Sequence, residues 1–454
     1  MARTLYICYF GVRQPLVQTQ VIPYLLEIMK SDTLRLVEPE DEDSKPDHPV
    51  RPPRPSGTPP QTGGELSPPL LKPGGELKVS LLTFEPDFHE KWTPEQIEAE
   101  KKKLAQMGIE WHCLPYHKRF SAVATAYDIF RGAWFIRGEI REKKIDILHG
   151  RVHVPTLMGA LARKFSKRKP KLLFDIRGFF PEEYTDAGIW PENGWLYRSA
   201  KRVERWLMKE ADGFVVLTEK ARDILFPESK DTGFDKFGRP VEVIPCCVDF
   251  QNRFSGDRDL QRDETRRKLG VENRFVFTHV GALGGLYLTE EIADFLATAR
   301  SQDSKTFGLF LTQSDPNLII PLLRERNFRD GDYFVGQVDP KEIPGYLSAS
   351  DVGMSFVKAG YATQSRSPTK IPEYLACGLP VISNRGVGDI EDLIDEDQVG
   401  VLVDEFTEEG YFLALDRISS LGNVGERCHA IARAKFDLES VGGKRYRKIY
   451  KRLY

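Results

Sequence analysis

The sequence has few cysteines, no long apolar run and almost no net charge. Its 6 cysteines lack regular spacing, which excludes a disulfide framework and a zinc site built from paired cysteines. No stretch approaches the roughly 18 to 20 apolar residues that cross a membrane as a helix. The 65 basic and 67 acidic residues give a net charge of −2, whereas bulk binding of nucleic acid needs a predominantly basic surface. These features predict reduced thiols, a cytoplasmic location and no nucleic-acid partner.

Proline is unevenly distributed along the 454 residues. Eleven of the 30 prolines lie between residues 39 and 73, mixed with Gly, Ser, Asp and Glu. Such a segment buries too little apolar surface to offset its ordering entropy, so residues 32–76 are predicted to be a disordered insert. A tolerated surface-loop insertion explains this segment better than a motif for a proline-binding partner.

Elsewhere, short apolar runs alternate with amphipathic stretches, which predicts an α/β protein with two doubly wound parallel-sheet domains. The strands predicted in the first domain are Leu5–Phe10, Val79–Phe84, Ile109–Leu114, Ile145–His149, Leu172–Asp175, Gly213–Leu217 and Val241–Ile244. Those of the second are Phe275–Val280, Thr306–Thr312, Tyr333–Gly336, Val352–Phe356, Val381–Ser383 and Val399–Val403. Predicted helices of the first domain lie near residues 17–29, 94–107, 122–141, 154–166, 195–210 and 219–226.

These elements divide the chain into a first domain at residues 1–250, a polar connection at 251–273 and a second domain at 274–437. Residues 438–454 are predicted to form a basic amphipathic helix that packs back toward the first domain. Ligands of doubly wound sheets bind beyond the carboxyl ends of the strands. Two such sheets facing each other therefore predict a binding cleft between the domains.

The most informative segment runs from Ser365 to Ser383, SRSPTKIPEYLACGLPVIS. A helix that begins after Thr369 has Pro372 in its first turn, where a missing N–H costs little. Ser367 and Thr369 are residue types that cap helix starts, and Gly378 is suited to end the helix. The pattern therefore predicts a short capped helix before a buried strand.

Cations surround the start of this predicted helix. Arg366 and Lys370 beside free N–H groups favour an anion such as phosphate. Glu373, one turn further on, is placed to accept hydrogen bonds from two adjacent ribose hydroxyls. A capped helix with a solvated Glu373 explains the spacing equally well.

The segment resembles the donor-binding segment of GT-B glycosyltransferase family 4, many of whose members carry Ser-Pro-x-Lys-x-x-Glu-Tyr-x-Ala-x-Gly-x-Pro-Val. Further resemblances lie, in the family's order, at residues 15–24, 175–183, 217–219, 244–249 and 280–287. The resemblance implies a GT-B fold and a retaining transfer of a sugar from a nucleotide diphosphate to an acceptor. It also implies that Glu373 holds the ribose and that neither a metal nor a cofactor is required.

Three positions depart from the family pattern. Ser365 replaces a Glu, the loop from Gly281 to Tyr287 lacks the usual Arg and Lys, and Arg151 occupies the place of a His. Positive charge for the diphosphate then has to come from Arg366, Lys370 or an Arg of the first domain, with backbone N–H groups of the glycine turn in support. The residues predicted to bind the donor are Gly281, Gly284, Gly285, Arg366, Ser367, Thr369, Lys370 and Glu373.

The residues predicted to act on the transferring sugar and the leaving phosphate are Arg151, His153, Arg177 and Lys370. Which of His149, Arg151 and His153 contacts the sugar stays open, and a surface salt bridge is an equal explanation for each Arg alone. On the acceptor side we expect Gly11, Arg13, His149, Glu182 and Glu183, with a Glu as a base for the acceptor hydroxyl. A Glu at a helix start has the alternative role of matching the helix dipole.

Two alternatives share this fold: a non-catalytic scaffold or sugar-nucleotide-binding relative, and a nucleotide-sugar epimerase. An oxidoreductase is disfavoured because no GxGxxG motif precedes an acidic ribose ligand. The acceptor is expected to be a carbohydrate, a lipid-linked sugar or a small molecule, with cell-surface polysaccharide or glycolipid assembly as a role that the family suggests. The basic stretches at 163–171 and 444–452 are solvated faces or, alternatively, contacts to the inner face of a membrane.

Overall fold

The computed structural model describes residues 2–30, 77–117 and 121–453. The predicted insert at residues 32–76 lies outside the described residues. Within them the strands form two parallel sheets, one of seven strands and one of six. Both sheets carry helices on their two faces, as the sequence predicts.

The first sheet has the strand order β3-β2-β1-β4-β5-β6-β7. Its strands are β1 Ala2–Ile7, β2 Leu77–Glu85, β3 Ile109–Pro115, β4 Ile147–Arg151, β5 Lys171–Ile176, β6 Gly213–Val216 and β7 Val241–Val243. Leu5 and Ile7 of β1 enter one hydrophobic cluster while Tyr6 enters the cluster on the opposite face. This alternation shows that the sheet is buried on both sides.

The second sheet has the order β10-β9-β8-β11-β12-β13. Its strands are β8 Phe275–Val280, β9 Thr306–Leu311, β10 Tyr333–Gly336, β11 Val352–Ser355, β12 Val381–Asn384 and β13 Gly400–Val403. In both sheets the order reverses beside the first strand, which is where doubly wound folds bind ligands. All thirteen predicted strands are present, within a few residues at each end.

The helices of the first domain are α1 Pro15–Gln20, α2 Ile22–Met29, α3 Phe88–Lys91, α4 Pro94–Gln106, α5 Ser121–Lys143, α6 His153–Lys164, α7 Phe180–Asp186, α8 Trp195–Glu210, α9 Glu219–Leu225 and α10 Ser229–Thr232. Those that follow are α11 Arg258–Leu269, α12 Thr289–Gln302, α13 Ile320–Glu325, α14 Ile343–Ser348, α15 Lys370–Ala376, α16 Ile390–Asp397, α17 Glu408–Ser420, α18 Gly425–Phe436 and α19 Lys444–Leu453.

Two helix predictions need correction, and the predicted connection contains a helix. The helix predicted at residues 17–29 is two helices, because the backbone leaves the helical region at Val21. The predicted connection at 251–273 contains α11, whose Arg262 and Arg266 bind Asp351 of the second domain. The C-terminal helix predicted at 438–454 begins as a π-helical turn, Leu438–Gly443, before α19.

The C-terminal helix α19 lies against the first domain. Tyr446 donates a hydrogen bond to Asp175 (2.9 Å), and the Tyr450 hydroxyl lies 2.9 Å from Nδ1 of His149. Arg447 donates to the carbonyl of Glu27 (2.7 Å). The chain therefore returns to the sheet in which it began.

The domains meet at the carboxyl edge of the first sheet. The Phe179 amide donates to the Ser365 hydroxyl (3.0 Å), and the Cys246 amide donates to the Ser367 hydroxyl (3.1 Å). The amides of Glu219 and Lys220, at the start of α9, donate to the Asp389 carboxylate (2.7 and 3.1 Å). These contacts bring the segment before α15 against the first domain's loops.

Candidate active site

The orientation of α15 is fixed by Tyr374. The Tyr374 hydroxyl accepts a hydrogen bond from the Val280 amide (2.9 Å) and donates to the Met354 carbonyl (3.2 Å). The ring lies over β11 where Gly353 has no side chain; a Cβ there would be 2.3 Å from the ring. Gly378, with φ +76°, ends the helix in the left-handed conformation that glycine adopts readily. This packing sets the direction of the other α15 side chains.

Lys370 begins α15 and is a buried cation without a counter-charge. Its side chain is only 5% exposed, and Nζ has no hydrogen-bond partner among the described residues. Nζ lies 4.5 Å from the centre of the Tyr287 ring. Burial lowers the pKa of Lys370 from 10.5 to about 7. A buried ammonium group without a partner is costly, so the site favours a ligand that brings negative charge.

The glycine turn that follows β8 lies beside Lys370. A Cβ on Gly281 would be 3.7 Å from Nζ, and the φ of +114° at this residue also favours glycine. The amides of Gly281 and Gly284 donate to the Leu311 carbonyl and the Thr289 hydroxyl, so they are not free for a phosphate. Gly285 lies in the same turn with open space beside its Cα. The turn thus shapes the space around Lys370 more than it supplies donors.

Glu373 lies one turn after Lys370 and forms an ion pair. Arg253 donates to its Oε1 at 2.9 Å, and both side chains are largely buried. Burial raises the pKa of Glu373, and Arg253 opposes that rise. Arg253, in the segment predicted as the connection, was missed by the sequence analysis because no spacing relates it to Glu373.

The residues that precede α15 serve the domain contact. Ser365, in the place of the family's Glu, is buried; its hydroxyl accepts from the Phe179 amide and donates to the Ala362 carbonyl. Ser367 accepts from the Cys246 amide, and Thr369 takes the cap position without a side-chain cap hydrogen bond. Arg366 pairs with Glu183 across the domains at 3.3 Å. Of these residues, Arg366 brings charge to the interface.

Arg177 is a second buried cation, at the carboxyl end of β5. Its side chain is 5% exposed, and none of its three nitrogens has a hydrogen-bond partner among the described residues. Asp175 is the nearest carboxylate at 3.8 Å. Burial raises the pKa of Asp175, but Arg177 and His149 outweigh it and bring the value to about 2. Cys246 lies near the guanidinium, and its amide binds Ser367 before α15.

The structure separates the three residues proposed for the sugar contact. His149 is fully buried between Tyr450 (2.9 Å) and Asp175 (3.4 Å). Arg151 is also buried and donates to the Gln20 carbonyl at 3.3 Å. Both side chains therefore have partners inside the first domain, so they hold β4, β5 and α19 together.

His153 differs because one ring nitrogen is unused. Its Nε2 lies 3.0 Å from Glu204, whereas Nδ1 is buried with no partner among the described residues. The preceding Val152 has φ +62°, an outlier for a β-branched residue that is typical of functional sites. Strain at this turn positions His153 at the start of α6.

The two carboxylates predicted for the acceptor side, Glu182 and Glu183, lie on α7. Glu182 pairs with Lys201 (2.9 Å) and accepts from the Tyr197 hydroxyl (3.1 Å). Glu183 faces Arg366, and burial raises its pKa although Arg366 opposes the rise. A Cβ on Gly178 would come within 2.5 Å of Glu183, so the glycine makes room for this carboxylate. Glu183 is therefore the better placed of the two to take a proton.

The first loop contributes its backbone more than its charge. Gly11 packs on Glu85, which accepts a hydrogen bond from the Val12 amide (2.9 Å), and a Cβ on Gly11 would be 2.8 Å from the carboxylate. Arg13 lies over the Trp92 ring at 3.9 Å and 3.6 Å from Glu100. Arg13 thus binds α4 and its neighbouring turn rather than a second-domain group.

A histidine dyad at the end of β3 was missed by the sequence analysis. Buried Asp128 accepts hydrogen bonds from the Tyr9 hydroxyl (2.7 Å) and the His117 amide (3.0 Å), and lies 2.6 Å from His117 Nδ1. Because a carboxylate only accepts, Nδ1 is the donor in this contact, and Nε2 is the ring nitrogen that remains for another group. Eleven residues separate the pair, and no motif marks that spacing. A metal site is a separate question. Among the described residues, no group of three or more His, Cys, Asp or Glu is placed to hold a metal.

Comparison with family models matches both domains. Residues 92–252 match the model of Glycosyltransferase Family 4, and residues 280–420 match that of Glycosyl transferases group 1. No curated protein matches the chain. The two models cover the loops that carry Arg177, Glu183 and Lys370.

Solved structures match nearly the whole chain at low identity. A glycosyltransferase from Rickettsia africae ESF-5 has a TM-score of 0.64 and 13% identity over 100% of this chain and 98% of its own. Anabaena HepE, in complex with UDP and glucose, has a TM-score of 0.63 and 14% identity over 99% and 100%. WaaG, a glycosyltransferase involved in lipopolysaccharide biosynthesis, has 0.60 and 15% over 98% and 99%. The chain is a glycosyltransferase of the GT-B fold, with domains similar to family 4 and to group 1.

Proposed function

We propose that this protein is a retaining glycosyltransferase that uses a nucleotide diphosphate sugar, with the diphosphate bound between Lys370 and Arg177. The observation that carries the proposal is that both cations are buried without a hydrogen-bond partner among the described residues. Each lies at the carboxyl edge of its sheet, where the two domains meet. A diphosphate supplies acceptor oxygens for both side chains and a counter-charge for Lys370, whereas Arg177 already has the Asp175 carboxylate at 3.8 Å.

The chemistry explains why cations are needed at this place. Cleavage of the bond between the anomeric carbon and the diphosphate leaves growing negative charge on the phosphate. Lys370 and Arg177 are already oriented and shielded from water, so they stabilise that charge more than they would in solution. In this proposal the protein's own cations neutralise the leaving group, and transfer needs no metal.

We assign Glu373 to the ribose of the donor, as in the family 4 donor segment with the pattern Ser-Pro-x-Lys-x-x-Glu-Tyr. Its carboxylate is held by Arg253 at 2.9 Å, which keeps it oriented before the donor arrives. Uridine is the first base to test, because the similar Anabaena protein was solved with UDP and with UDP-glucose. The acceptor hydroxyl loses its proton to the leaving phosphate, while Glu183 and His153 line the acceptor side.

The acceptor is proposed to be a carbohydrate, a lipid-linked sugar or a small molecule, used in the cytoplasm or at the inner face of a membrane. Among the described residues, no helix is both long and apolar enough to cross a bilayer. A carbohydrate acceptor agrees with the raised pKa of Glu183 and with the His117–Asp128 pair, since carboxyl and imidazole groups bind hydroxyls.

Release of nucleotide diphosphate from sugar donors tests the proposal. Wild type, Lys370→Met and the control Lys268→Met are incubated with UDP-, GDP-, ADP- and dTDP-sugars without acceptor, where slow transfer to water reports donor cleavage. We expect release from one nucleotide class by wild type and by the control, whose lysine is exposed and paired with Glu342, and none by Lys370→Met. The freed sugar, followed by NMR, first shows the donor's anomeric configuration. Release by none of the donors, or an inverted product, contradicts the proposal.

A further inference from the structure

Helix α5 presents a row of exposed apolar side chains to solvent. Val123, Tyr127, Phe130 and Trp134 are 74%, 50%, 67% and 65% exposed. Their spacing of four, three and four residues places them on one helical face about 16 Å long. The opposite face of α5 is packed into the domain core through residues such as Ile136 and Ile140. The row is therefore a surface feature and not part of the core.

The same face continues into basic residues. Arg137 and Arg141 follow the apolar row along α5, and Arg137 donates to the carbonyl of Phe165 (2.9 Å). Phe165, 67% exposed, lies at the end of α6 among Lys164, Lys167 and Lys169. We name this surface, formed by the exposed face of α5 and residues 164–169, the α5 face.

Negative charge is sparse on the outward side of α5, where the exposed acidic side chain is Glu142 at the carboxyl end, paired with Arg141 at 2.9 Å. Between residues 121 and 141 the acidic side chains are Asp128 and Glu139, and both are buried. Arg131 and Arg137 have no carboxylate partner among the described residues, and neither has Lys167. Pairing of two chains across a two-fold axis through this face would bring like charges together. The charge pattern instead favours an anionic partner.

We propose that the α5 face docks the enzyme on a bilayer that carries anionic headgroups. Aromatic side chains in a row with cations beside them form the pattern of helices that lie in a membrane interface. The amino end of α5 follows the carboxyl end of β3, so the apolar part of the row lies nearest the cleft edge. This inference rests on the proposed function. The arrangement presents the acceptor side of the cleft to an amphiphilic, membrane-bound acceptor. It differs from the predicted membrane contact of the C-terminal helix, whose Lys448 and Arg452 are paired with Glu242.

Sedimentation of the full chain with vesicles tests the proposal. Vesicles of phosphatidylcholine alone are compared with vesicles that also contain phosphatidylglycerol. We expect wild type to bind the anionic vesicles and to be released by salt, because screening weakens the attraction of the basic residues. Phe130→Ser combined with Trp134→Ser is expected to weaken binding at least about tenfold, since two aromatic anchors are lost.

Phe237→Ser is the matched control. Phe237 is 70% exposed and lies beside Lys236 and Arg239, but it belongs to no apolar row, so this variant binds vesicles like wild type. A charge variant, Arg137→Glu with Lys167→Glu, is expected to lose the preference for phosphatidylglycerol.

Two results overturn the proposal. One is the absence of wild-type binding to anionic vesicles, or equal binding by the double serine variant. The other is a wild-type dimer that becomes a monomer in the serine variant during ultracentrifugation, which would make the face a self-contact. Nucleotide release from sugar donors without vesicles stays at the wild-type level in all these variants. A failure of docking is thereby distinguished from a failure of the donor site.

Discussion

Replacement of Lys370 by methionine is expected to stabilise the ligand-free protein while it abolishes donor binding. Because one pKa unit corresponds to about 1.4 kcal/mol, the difference between 10.5 and about 7 amounts to about 5 kcal/mol at acidic to neutral pH. The lost contact with the Tyr287 ring is worth about 1 kcal/mol. We therefore expect Lys370→Met to raise the free energy of unfolding by about 2 to 4 kcal/mol, since the site also relaxes.

The pH dependence has a definite sign. The pKa of Lys370 is lower in the folded than in the unfolded chain, so between about pH 7 and 10.5 the unfolded chain binds the extra proton. The contribution of Lys370 to wild-type stability therefore rises with pH across that window. Below the window, the full cost of burying a charged lysine applies. The gain in the free energy of unfolding from Lys370→Met should therefore shrink as the pH rises toward 10.5. Urea unfolding of both proteins over this range measures the difference, and a destabilised variant, or a difference in stability that stays constant with pH, would refute the reasoning.

Binding of a nucleotide diphosphate should also be accompanied by uptake of a proton. Near pH 8 Lys370 is mostly neutral when the site is empty, and a bound diphosphate returns it to the charged form, with uptake of nearly one proton (about 0.9). His279 beside it does not contribute, because burial and Lys370 keep its pKa well below the usual range. Calorimetry in buffers of different ionisation enthalpy measures this uptake. A wild-type protein that binds without proton uptake, or a Lys268→Met control that loses the uptake, would contradict the assignment.

Three further predictions concern positioning. Tyr374→Phe leaves the buried Val280 amide without its acceptor, so urea unfolding should show a loss of about 1 to 3 kcal/mol; an unchanged midpoint would refute its anchoring role. Arg177→Met should weaken nucleotide diphosphate binding in calorimetry by about tenfold or more while nucleoside binding stays unchanged; equal loss of both would indicate misfolding. Asp128→Asn should lower turnover with an acceptor more than donor hydrolysis without one, because His117 loses its orientation; parallel losses would exclude an acceptor role.

The fold could be predicted almost completely because its signals are local. Each strand is a short apolar run between turn residues, and thirteen such runs appear in the structure as two parallel sheets. The errors arose where tertiary contacts decide. Helix α11 is joined to the second domain by Arg262 and Arg266, which bind Asp351, 89 and 85 residues further along the chain. The break at Val21 is a backbone feature that apolar periodicity does not show.

The candidate site was harder to predict because its partners are distant in sequence. The sequence pattern places Lys370 and Glu373 in one predicted donor-binding segment. Nothing in the spacing, however, identifies Arg253 as the partner of Glu373, 120 residues away. His149 and Arg151 lie at the carboxyl end of β4, yet Tyr450 of α19 covers His149 from the far end of the chain, and Arg151 donates to the Gln20 carbonyl. Burial without a partner, which singles out Lys370 and Arg177, is a property that only the structure reveals.

The central claim is that a nucleotide diphosphate binds at Lys370 and Glu373, and calorimetric titration tests it most directly. UDP, GDP, ADP and dTDP are titrated into wild type, Lys370→Met, Glu373→Ala and the control Lys268→Met. The account predicts that one nucleotide binds wild type and the control with micromolar affinity, and that both cleft variants lose about 100-fold or more of it. Binding of no nucleotide to the folded protein, or undiminished binding by Lys370→Met, would contradict the claim.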